Sequence, residues 1–192
     1  MSRSAHAKMP TGIWTIGHST RPIEEFLGLL AEACVKIVAD VRSFPGSRKY
    51  PQYGKEALAE TLAAHSIDYL WFQALGGRRR ASPDSPNTAW RNASFRGYAD
   101  YMSSMEFEHG LIQLLQAASK ARTVIMCAEA VWWRCHRSMI ADALCVRDIG
   151  VVHILDAKHR RVHPMTSPAR IVRGKLSYAA VPGMSRELAD RG

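Results

Sequence analysis

Short apolar runs alternate with helical patterns along most of the chain. Five runs rich in β-branched and aromatic residues predict strands, and apolar residues at three- and four-residue spacing between them predict helices. The predicted strands cover residues 13–16, 35–41, 67–72, 123–126 and 151–155. Continuous apolar strands are typical of parallel sheets that are buried on both faces. The pattern therefore predicts an α/β protein with three α/β/α layers and a mostly parallel sheet of about five strands.

The apolar spacing predicts helices at residues 22–30, 58–65, 98–115 and 138–147, the third with a break near Gly110. Residues 73–94 form a long polar segment, which is either a functional loop or a disordered surface loop. We expect a single α/β domain over residues 1–192, with a core at about 12–155 and an irregular basic tail at 156–192.

The chain has 192 residues, of which 47% are hydrophobic and 22% charged, as in folded globular proteins. Its 26 basic and 17 acidic side chains give a formal net charge of +9. This balance favours an anionic partner such as a nucleic acid, a nucleotide or a phosphorylated metabolite. The alternative is a basic protein with no such partner.

Four cysteines, Cys34, Cys127, Cys135 and Cys145, are too few and too scattered for a disulfide framework, so we expect a reducing compartment. Cys34 and Cys145 fall on apolar helical patterns and are predicted to lie in the core. The first ten residues contain no apolar signal region, and no run approaches the roughly 18 apolar residues of a membrane span. We therefore expect a cytoplasmic protein that is not bound to a membrane, of unknown oligomeric state.

Polar residues follow the predicted strands at the point where each strand ends. Ligands of open parallel sheets bind beyond the carboxyl ends of the strands, which share one edge. We therefore expect these side chains to converge. They are His18 after the first strand, Asp40, Arg42 and Ser43 after the second, Gly76, Gly77 and Arg78 after the third, Cys127 and Glu129 after the fourth, and His153 in or near the end of the fifth.

The segment from Cys127 to Ser138 runs from a strand end through a loop to the start of a helix. Helix N-termini expose unpaired N–H groups that bind anions. Four arginines, a histidine and a serine are predicted to hold an anion here, while Gly76, Gly77 and Arg78 approach the substrate from their loop. The predicted anion-binding residues are Arg42, Ser43, Arg48, Arg134, His136 and Arg137.

Four residues are candidate catalytic groups. Cys135 is a candidate nucleophile, because a helix start and neighbouring basic groups lower the pKa of a thiol, although free cysteines are often simply buried. Glu129 is a candidate acid or base, or else a partner in a structural ion pair. Asp40 either orients Arg42, Arg137 or His18, or is itself catalytic, and His18 would assist.

Metal and cofactor signatures are weak. Cys127, Cys135 and His136, with His18 or His153, would supply enough ligands for zinc, but their spacing matches no strong zinc motif. We therefore expect no metal, although the sequence leaves this open. Dinucleotide and P-loop motifs are absent from the sequence, so we expect no cofactor. Among the aromatic residues, Trp90, Trp132 and Trp133 are the better candidates for stacking on a base.

Several short motifs carry a family resemblance. They are Thr15-Ile-Gly-His-Ser-Thr20, Asp40-Val-Arg-Ser-Phe-Pro-Gly-Ser-Arg48, Leu75-Gly-Gly77, Tyr98-Ala-Asp-Tyr-Met102, Met126-Cys-Ala-Glu129 and Cys135-His-Arg137. In order and spacing the chain resembles the family catalogued as domain of unknown function 488, over residues of about 12–155. The resemblance implies a cytosolic bacterial or archaeal α/β protein and supplies no reaction.

The leading functional hypothesis is an enzyme that acts on a phosphate-bearing substrate, a nucleotide or a nucleic acid, at the carboxyl ends of the parallel strands. A non-catalytic nucleic-acid-binding module is the first alternative, favoured by the net charge, by Arg78 to Arg80 and by the nearby aromatic residues. A thiol-dependent sulfur or phosphoryl transferase that uses Cys135 is the second.

Overall fold

A six-stranded sheet forms the centre of the fold in the computed structural model, which describes residues 12–46 and 48–180. The strand order is β3-β2-β4-β1-β5-β6, with the first five strands parallel and β6 antiparallel to β5. The mostly parallel sheet is thus confirmed, with one strand more than the expected five. The strands are β1 (Ile13–Gly17), β2 (Ile37–Asp40), β3 (Asp68–Trp71), β4 (Thr123–Cys127), β5 (Val151–Ile154) and β6 (Arg160–Val162).

Helices cover both faces of the sheet. They are α1 (Ile23–Glu32), α2 (Lys55–Ala64), α3 (Ala93–Tyr101), α4 (Met105–Lys120) and α5 (Arg137–Cys145). The first two helices pack into one apolar cluster, and the other three pack into a second. Adjacent residues of the central strands belong to opposite clusters, as Val38 and Ala39 do, because successive side chains of a strand point to opposite faces. This arrangement confirms the α/β fold class.

The third helical pattern divides at a different place from the one expected. The predicted break near Gly110 is wrong, since Gly110 lies inside α4. The break falls at residues 102–104, where the Ser104 side chain accepts a hydrogen bond from the backbone N–H of Phe107 and caps α4. A serine cap thus starts α4, whereas the glycine is tolerated in its interior.

The tail beyond Asp156 contains strands, which corrects the prediction of an irregular segment as far as residue 180. Besides β6, it forms a two-stranded antiparallel hairpin of β7 (Arg170–Val172) and β8 (Lys175–Ser177). The buried Asp142 of α5 holds this part of the chain, because its carboxylate accepts hydrogen bonds from His163, Thr166 and Tyr178. Residues 181–192 of the predicted tail lie outside the described part.

The long polar segment at residues 73–94 is folded onto α3. It opens with a short 3₁₀ turn, and Asp100 of α3 then accepts hydrogen bonds from Ser82, Ser85 and Asn87. The guanidinium of Arg79 lies 3.8 Å from the centre of the Tyr101 ring. These contacts hold the segment over the carboxyl edge of the sheet.

Two predicted core cysteines are more accessible than expected. Cys34 is exposed, because it lies in the turn after α1 with a positive φ of 52° rather than on the apolar face of the helix. Cys145 is half-buried at the last residue of α5. Within the described residues, no helix is long and apolar enough to cross a membrane.

Candidate functional site

A cavity of about 640 Å³ opens at the carboxyl edge of the sheet. It lies between the ends of β2 and β4, the loop after β3 and the start of α5, and it contains most of the predicted site residues. A smaller cavity of about 430 Å³ shares several of these residues and adds His18. The predicted residues that line the larger cavity are Arg42, Ser43, Gly77, Arg78, Cys127, Glu129, Arg134, Cys135 and His136.

Arg42 and Asp40 form a buried ion pair at the wall of the cavity. The carboxylate accepts hydrogen bonds from Nη2 of Arg42 at 2.6 Å, from Nε at 2.9 Å and from the backbone N–H at 3.0 Å. The Tyr69 hydroxyl donates to the same carboxylate at 2.6 Å. Asp40 is 0% exposed and lines neither cavity. Of the two roles predicted for Asp40, the geometry favours the orientation of Arg42.

His18 is buried beside the same arginine. Its ring stacks on Tyr53 with centroids 4.1 Å apart, and its Nδ1 lies 3.0 Å from the carbonyl oxygen of Ser19. A carbonyl only accepts, so Nδ1 donates and Nε2, at 3.4 Å from Nη1 of Arg42, accepts. Burial and the charge of Arg42 lower the pKa of His18 to about 4. The ring is therefore neutral at neutral pH and acts as a hydrogen-bond partner of Arg42.

Cys127, Cys135 and His136 meet at the floor of the cavity. Their ligand atoms all lie within 4.8 Å of one another, and the Sγ of Cys135 is 3.6 Å from Nδ1 of His136. Burial opposes ionisation of Cys135, but the hydrogen bond from Cys127 and the nearby Arg137 and His136 place its pKa well below the usual value. The hydrogen bond to Cys135 and burial raise the pKa of Cys127. These opposite shifts favour a hydrogen bond donated by the Cys127 thiol to the sulfur of Cys135.

Arg137 is not available to an anion in the cavity, which corrects its predicted role. It is 1% exposed and is absent from the cavity lining. Its Nε donates to the Sγ of Cys135 at 3.3 Å, and its Nη2 donates to the carbonyl oxygen of Glu129. Arg137 therefore fixes the loop between β4 and α5 and stabilises negative charge on sulfur.

The His136 ring has one fixed orientation. Its Nε2 lies 3.0 Å from the carbonyl oxygen of Val41, so Nε2 carries a hydrogen, and the Nδ1 of the neutral ring presents a lone pair to the thiols. Gly77 packs on this ring, and a Cβ there would lie 2.3 Å from Nδ1. A Cβ on Gly76 would lie 2.7 Å from Oγ of Ser43. The two glycines predicted to approach a substrate are thus required for close packing against His136 and Ser43.

Three charged groups at the cavity remain accessible. Arg78 and Arg134 are exposed, and Glu129 is half-buried. None of the three side chains forms an ion pair within the described residues. Arg48 is exposed and lies outside the lining of both cavities, so the structure does not bring it to the site as predicted. A ligand in the cavity therefore meets two exposed guanidinium groups and one carboxylate, in addition to the buried pair of Arg42 and Asp40 at the wall.

Aromatic side chains lie on the rim, although only one of the three predicted tryptophans does so. Trp133 is 48% exposed and lines the cavity, as does Phe44, which is 69% exposed. Trp132 is buried against His153, and Trp90 packs on Phe95, so neither is free to stack on a ligand. Phe95, one of the aromatic residues expected to flank the site, also lines the cavity. Sequence reasoning did not assign Phe44, Asn92 and Ser94 to the site, although Asn92 and Ser94 lie in the polar segment that was noted as a possible functional loop.

His153 lies below the edge rather than in the cavity. Its Nδ1 is 2.6 Å from the hydroxyl of Thr15, and its Nε2 is 2.9 Å from Nδ1 of His163, which continues to Asp142. Burial and the neighbouring His163 lower the pKa of His153 to about 3. This buried network joins β1, β5 and α5 and supports the floor of the site.

A comparison with protein families finds a match that covers most of the fold and of the candidate site. A family model described as "Domain of unknown function DUF488" matches residues 22–144, which include α1 to α4 and nearly all of α5. No curated protein and no solved structure matches the chain at a significant level.

Proposed function

The chain belongs to the DUF488 family of domains of unknown function, and we propose that it is an enzyme that acts on a phosphate-bearing substrate, a nucleotide or a nucleic acid. The observation that carries the proposal is the composition of the cavity at the carboxyl edge. It combines exposed cations, exposed aromatic rings and an unpaired carboxylate within a volume of about 640 Å³, which is typical of small-molecule sites.

The three arginines that line the cavity differ in how much charge they offer to a phosphate. Arg78 and Arg134 have exposed guanidinium groups, and that of Arg78 lies 5.6 Å from the centre of the exposed Phe44 ring. Guanidinium groups form strong charge-assisted hydrogen bonds with phosphate oxygens. Arg42 contributes a fixed positive group at the wall, but Asp40 already neutralises most of its charge. A phosphate would therefore be held mainly by Arg78 and Arg134.

The aromatic rim favours a substrate with a ring. Phe44 and Trp133 expose large apolar faces next to the two arginines. Exposed aromatic rings beside a basic groove stack on nucleobases, whichever base is present. This combination supports a nucleotide or single-stranded nucleic acid rather than inorganic phosphate.

Glu129 supplies the group for proton transfer. Its half-buried side chain lines both cavities and forms no ion pair within the part of the chain described. A positioned general acid or base contributes about 100-fold or more to a rate. These groups are consistent with hydrolysis of a phosphate-bearing substrate or with transfer of a group from it.

A substrate screen tests this proposal. Purified protein is incubated with nucleoside phosphates and with short single-stranded DNA and RNA, and the products are separated by ion-exchange chromatography. We expect turnover of one class, reduced about 100-fold or more in Glu129→Gln. Binding measured by calorimetry should weaken about ten-fold or more in Arg134→Ala. Lys120→Ala is the matched control, because it removes the same charge at the end of α4, on the opposite edge of the sheet. Absence of turnover, or turnover that is unchanged in Glu129→Gln, would refute the proposed role.

A non-catalytic nucleic-acid-binding module is the second candidate, favoured by the exposed Phe44 and Trp133 beside the arginines. It predicts oligonucleotide affinity that falls steeply with salt and no turnover. Arg78→Ala and Arg80→Ala are the informative variants, because both side chains are exposed. Arg79 is unsuitable, since its guanidinium packs on Tyr101 and its removal would disturb the loop.

A further inference from the structure

We propose that Cys127, Cys135 and His136 bind one zinc ion at the floor of the cavity. Cys127 is the last residue of β4, and Cys135 and His136 immediately precede α5. The turn between strand and helix brings the two sulfurs and Nδ1 of His136 within 4.8 Å of one another. This inference does not depend on the reaction, because metal content is measured without a substrate.

One pair of donor atoms has the spacing expected in a tetrahedral zinc site. Zinc–sulfur bonds of about 2.3 Å and zinc–nitrogen bonds of about 2.0–2.1 Å at tetrahedral angles place a sulfur and a nitrogen about 3.5 Å apart. The distance from Sγ of Cys135 to Nδ1 of His136 is 3.6 Å. The two residues therefore match one edge of a zinc tetrahedron without a change in backbone position.

The hydrogen bond of His136 to the backbone selects the ring tautomer that can bind a metal. The ring Nε2–H donates to the carbonyl oxygen of Val41, which leaves the lone pair of Nδ1 directed at the cysteines. Histidine ligands commonly donate their second ring N–H to a carbonyl in this way, which fixes both tautomer and ring orientation. Close packing of Gly77 and the edge of the Tyr98 ring, with centroids 5.1 Å apart, holds the ring in place.

The surroundings of the sulfurs suit a bound cation. The Nε of Arg137 donates to the Sγ of Cys135 at 3.3 Å, as N–H groups around metal thiolates do. Two thiolates would balance the charge of Zn²⁺, and two sulfurs with one imidazole form a ligand set that suits this ion.

The site would have an open coordination position. Three protein ligands leave a fourth position of the tetrahedron, and Cys127, Cys135 and His136 all line the cavity that contains Arg134 and Glu129. Zinc sites with three protein ligands and one open position are typically catalytic rather than structural. The fourth position would therefore face the ligand-binding space.

Metal analysis of the full chain tests the inference. The protein is produced in zinc-containing medium, freed of any histidine tag and purified without chelator, and its metals are measured by mass spectrometry. We expect about one zinc per chain. Cys127→Ser, Cys135→Ser and His136→Gln should each weaken zinc affinity about 100-fold or more. Cys145→Ser is the matched control, because this half-buried cysteine lies outside the cluster. Equal zinc content in the wild type and the three ligand variants would overturn the proposal.

A second measurement on the wild-type chain remains informative if a ligand variant does not fold. Cobalt reconstitution should give the thiolate-to-metal charge-transfer bands and intense visible absorption of a tetrahedral site. Alkylation mapped by mass spectrometry should show that zinc protects Cys127 and Cys135, while the exposed Cys34 reacts in both states. Rapid alkylation of Cys135 that zinc does not slow would overturn the metal site, and would instead support the thiol-dependent transferase predicted as an alternative from the sequence.

Discussion

Replacement of Asp40 by asparagine is expected to destabilise the fold by about 3–5 kcal/mol, because it removes one partner of a buried ion pair. Asp40 is 0% exposed and Arg42 is 6% exposed, so solvent screens their interaction little. Oδ1 accepts from the backbone N–H and Nε of Arg42, while Oδ2 accepts from Nη2 and from the Tyr69 hydroxyl. The asparagine amide turns one of these acceptors into a donor. Either orientation then places two donors against each other and leaves the arginine charge uncompensated.

The double variant Asp40→Asn/Arg42→Met measures how much of the lost stability is due to the interaction between these two residues. It removes both charges, so we expect it to lose less stability than the sum of the two single substitutions. The difference between the loss of stability in the double variant and the sum of the losses in the single variants is the coupling energy of the pair. Because a buried pair often stabilises little more than apolar side chains of similar volume do, the double variant should fold.

Urea denaturation followed by circular dichroism at neutral pH measures these free energies of unfolding. Asp84→Asn is the control, because Asp84 is exposed, and it should stay within about 0.5 kcal/mol of the wild type. A loss of less than about 1 kcal/mol in Asp40→Asn would refute the structural role. If substrate turnover disappeared at unchanged stability, Asp40 would be a catalytic residue, as the other sequence-based hypothesis holds.

Three further predictions concern packing and pH. Gly77→Ala should displace the His136 ring, since its Cβ would lie 2.3 Å from Nδ1, and should weaken zinc binding about ten-fold; Gly28→Ala, at an exposed helical position with open space, should instead stabilise the fold by about 0.5–1 kcal/mol in thermal and urea denaturation. His153 and His18 take up protons near pH 6.5 when unfolded but have pKa values of about 3 and about 4 when folded. The stability measured by urea denaturation should therefore fall as the pH is lowered below 6.5, by up to about 1.4 kcal/mol per pH unit for each ring. A flat profile between pH 7 and 5 would contradict the burial of the two neutral rings. Asp142→Asn should lower the free energy of unfolding by about 2–4 kcal/mol, because three side chains and a backbone N–H donate hydrogen bonds to this one buried carboxylate. Limited proteolysis of this variant should then cut first after residue 156, and cleavage that begins elsewhere would argue against this anchoring role.

The convergence of the site residues could be predicted because it depends only on the sheet. In a parallel sheet the strand ends share one edge, and the register places Gly17 beside Cys127 and Asp40 beside Met126. Any polar residue that follows these strands is therefore drawn to the same rim. The buried parallel strands could themselves be recognised from their short apolar runs. The edge strand β3 is partly exposed and could be recognised from its aromatic residues.

Short, exposed elements could not be predicted in the same way. All three residues of β6 are exposed, as are those of β7, and each strand has only three residues, which is too short for an apolar pattern to be recognised. The position of the break between α3 and α4 depends on a single cap at Ser104, which the apolar spacing does not report. These elements depend on contacts with distant residues, such as the pairing of β6 with β5.

Burial separates the arginines of this edge into two functional classes that look alike in the sequence. Arg42 and Arg137 lie within the protein, where Asp40 and the sulfur of Cys135 accept their hydrogen bonds, so their charge organises the walls and floor. Arg78 and Arg134 are exposed and form no ion pair in the described structure, so their charge is available to a ligand. Substitutions in the first class should reduce stability before they reduce affinity. Those in the second should reduce affinity, with a dependence on salt, at nearly unchanged stability.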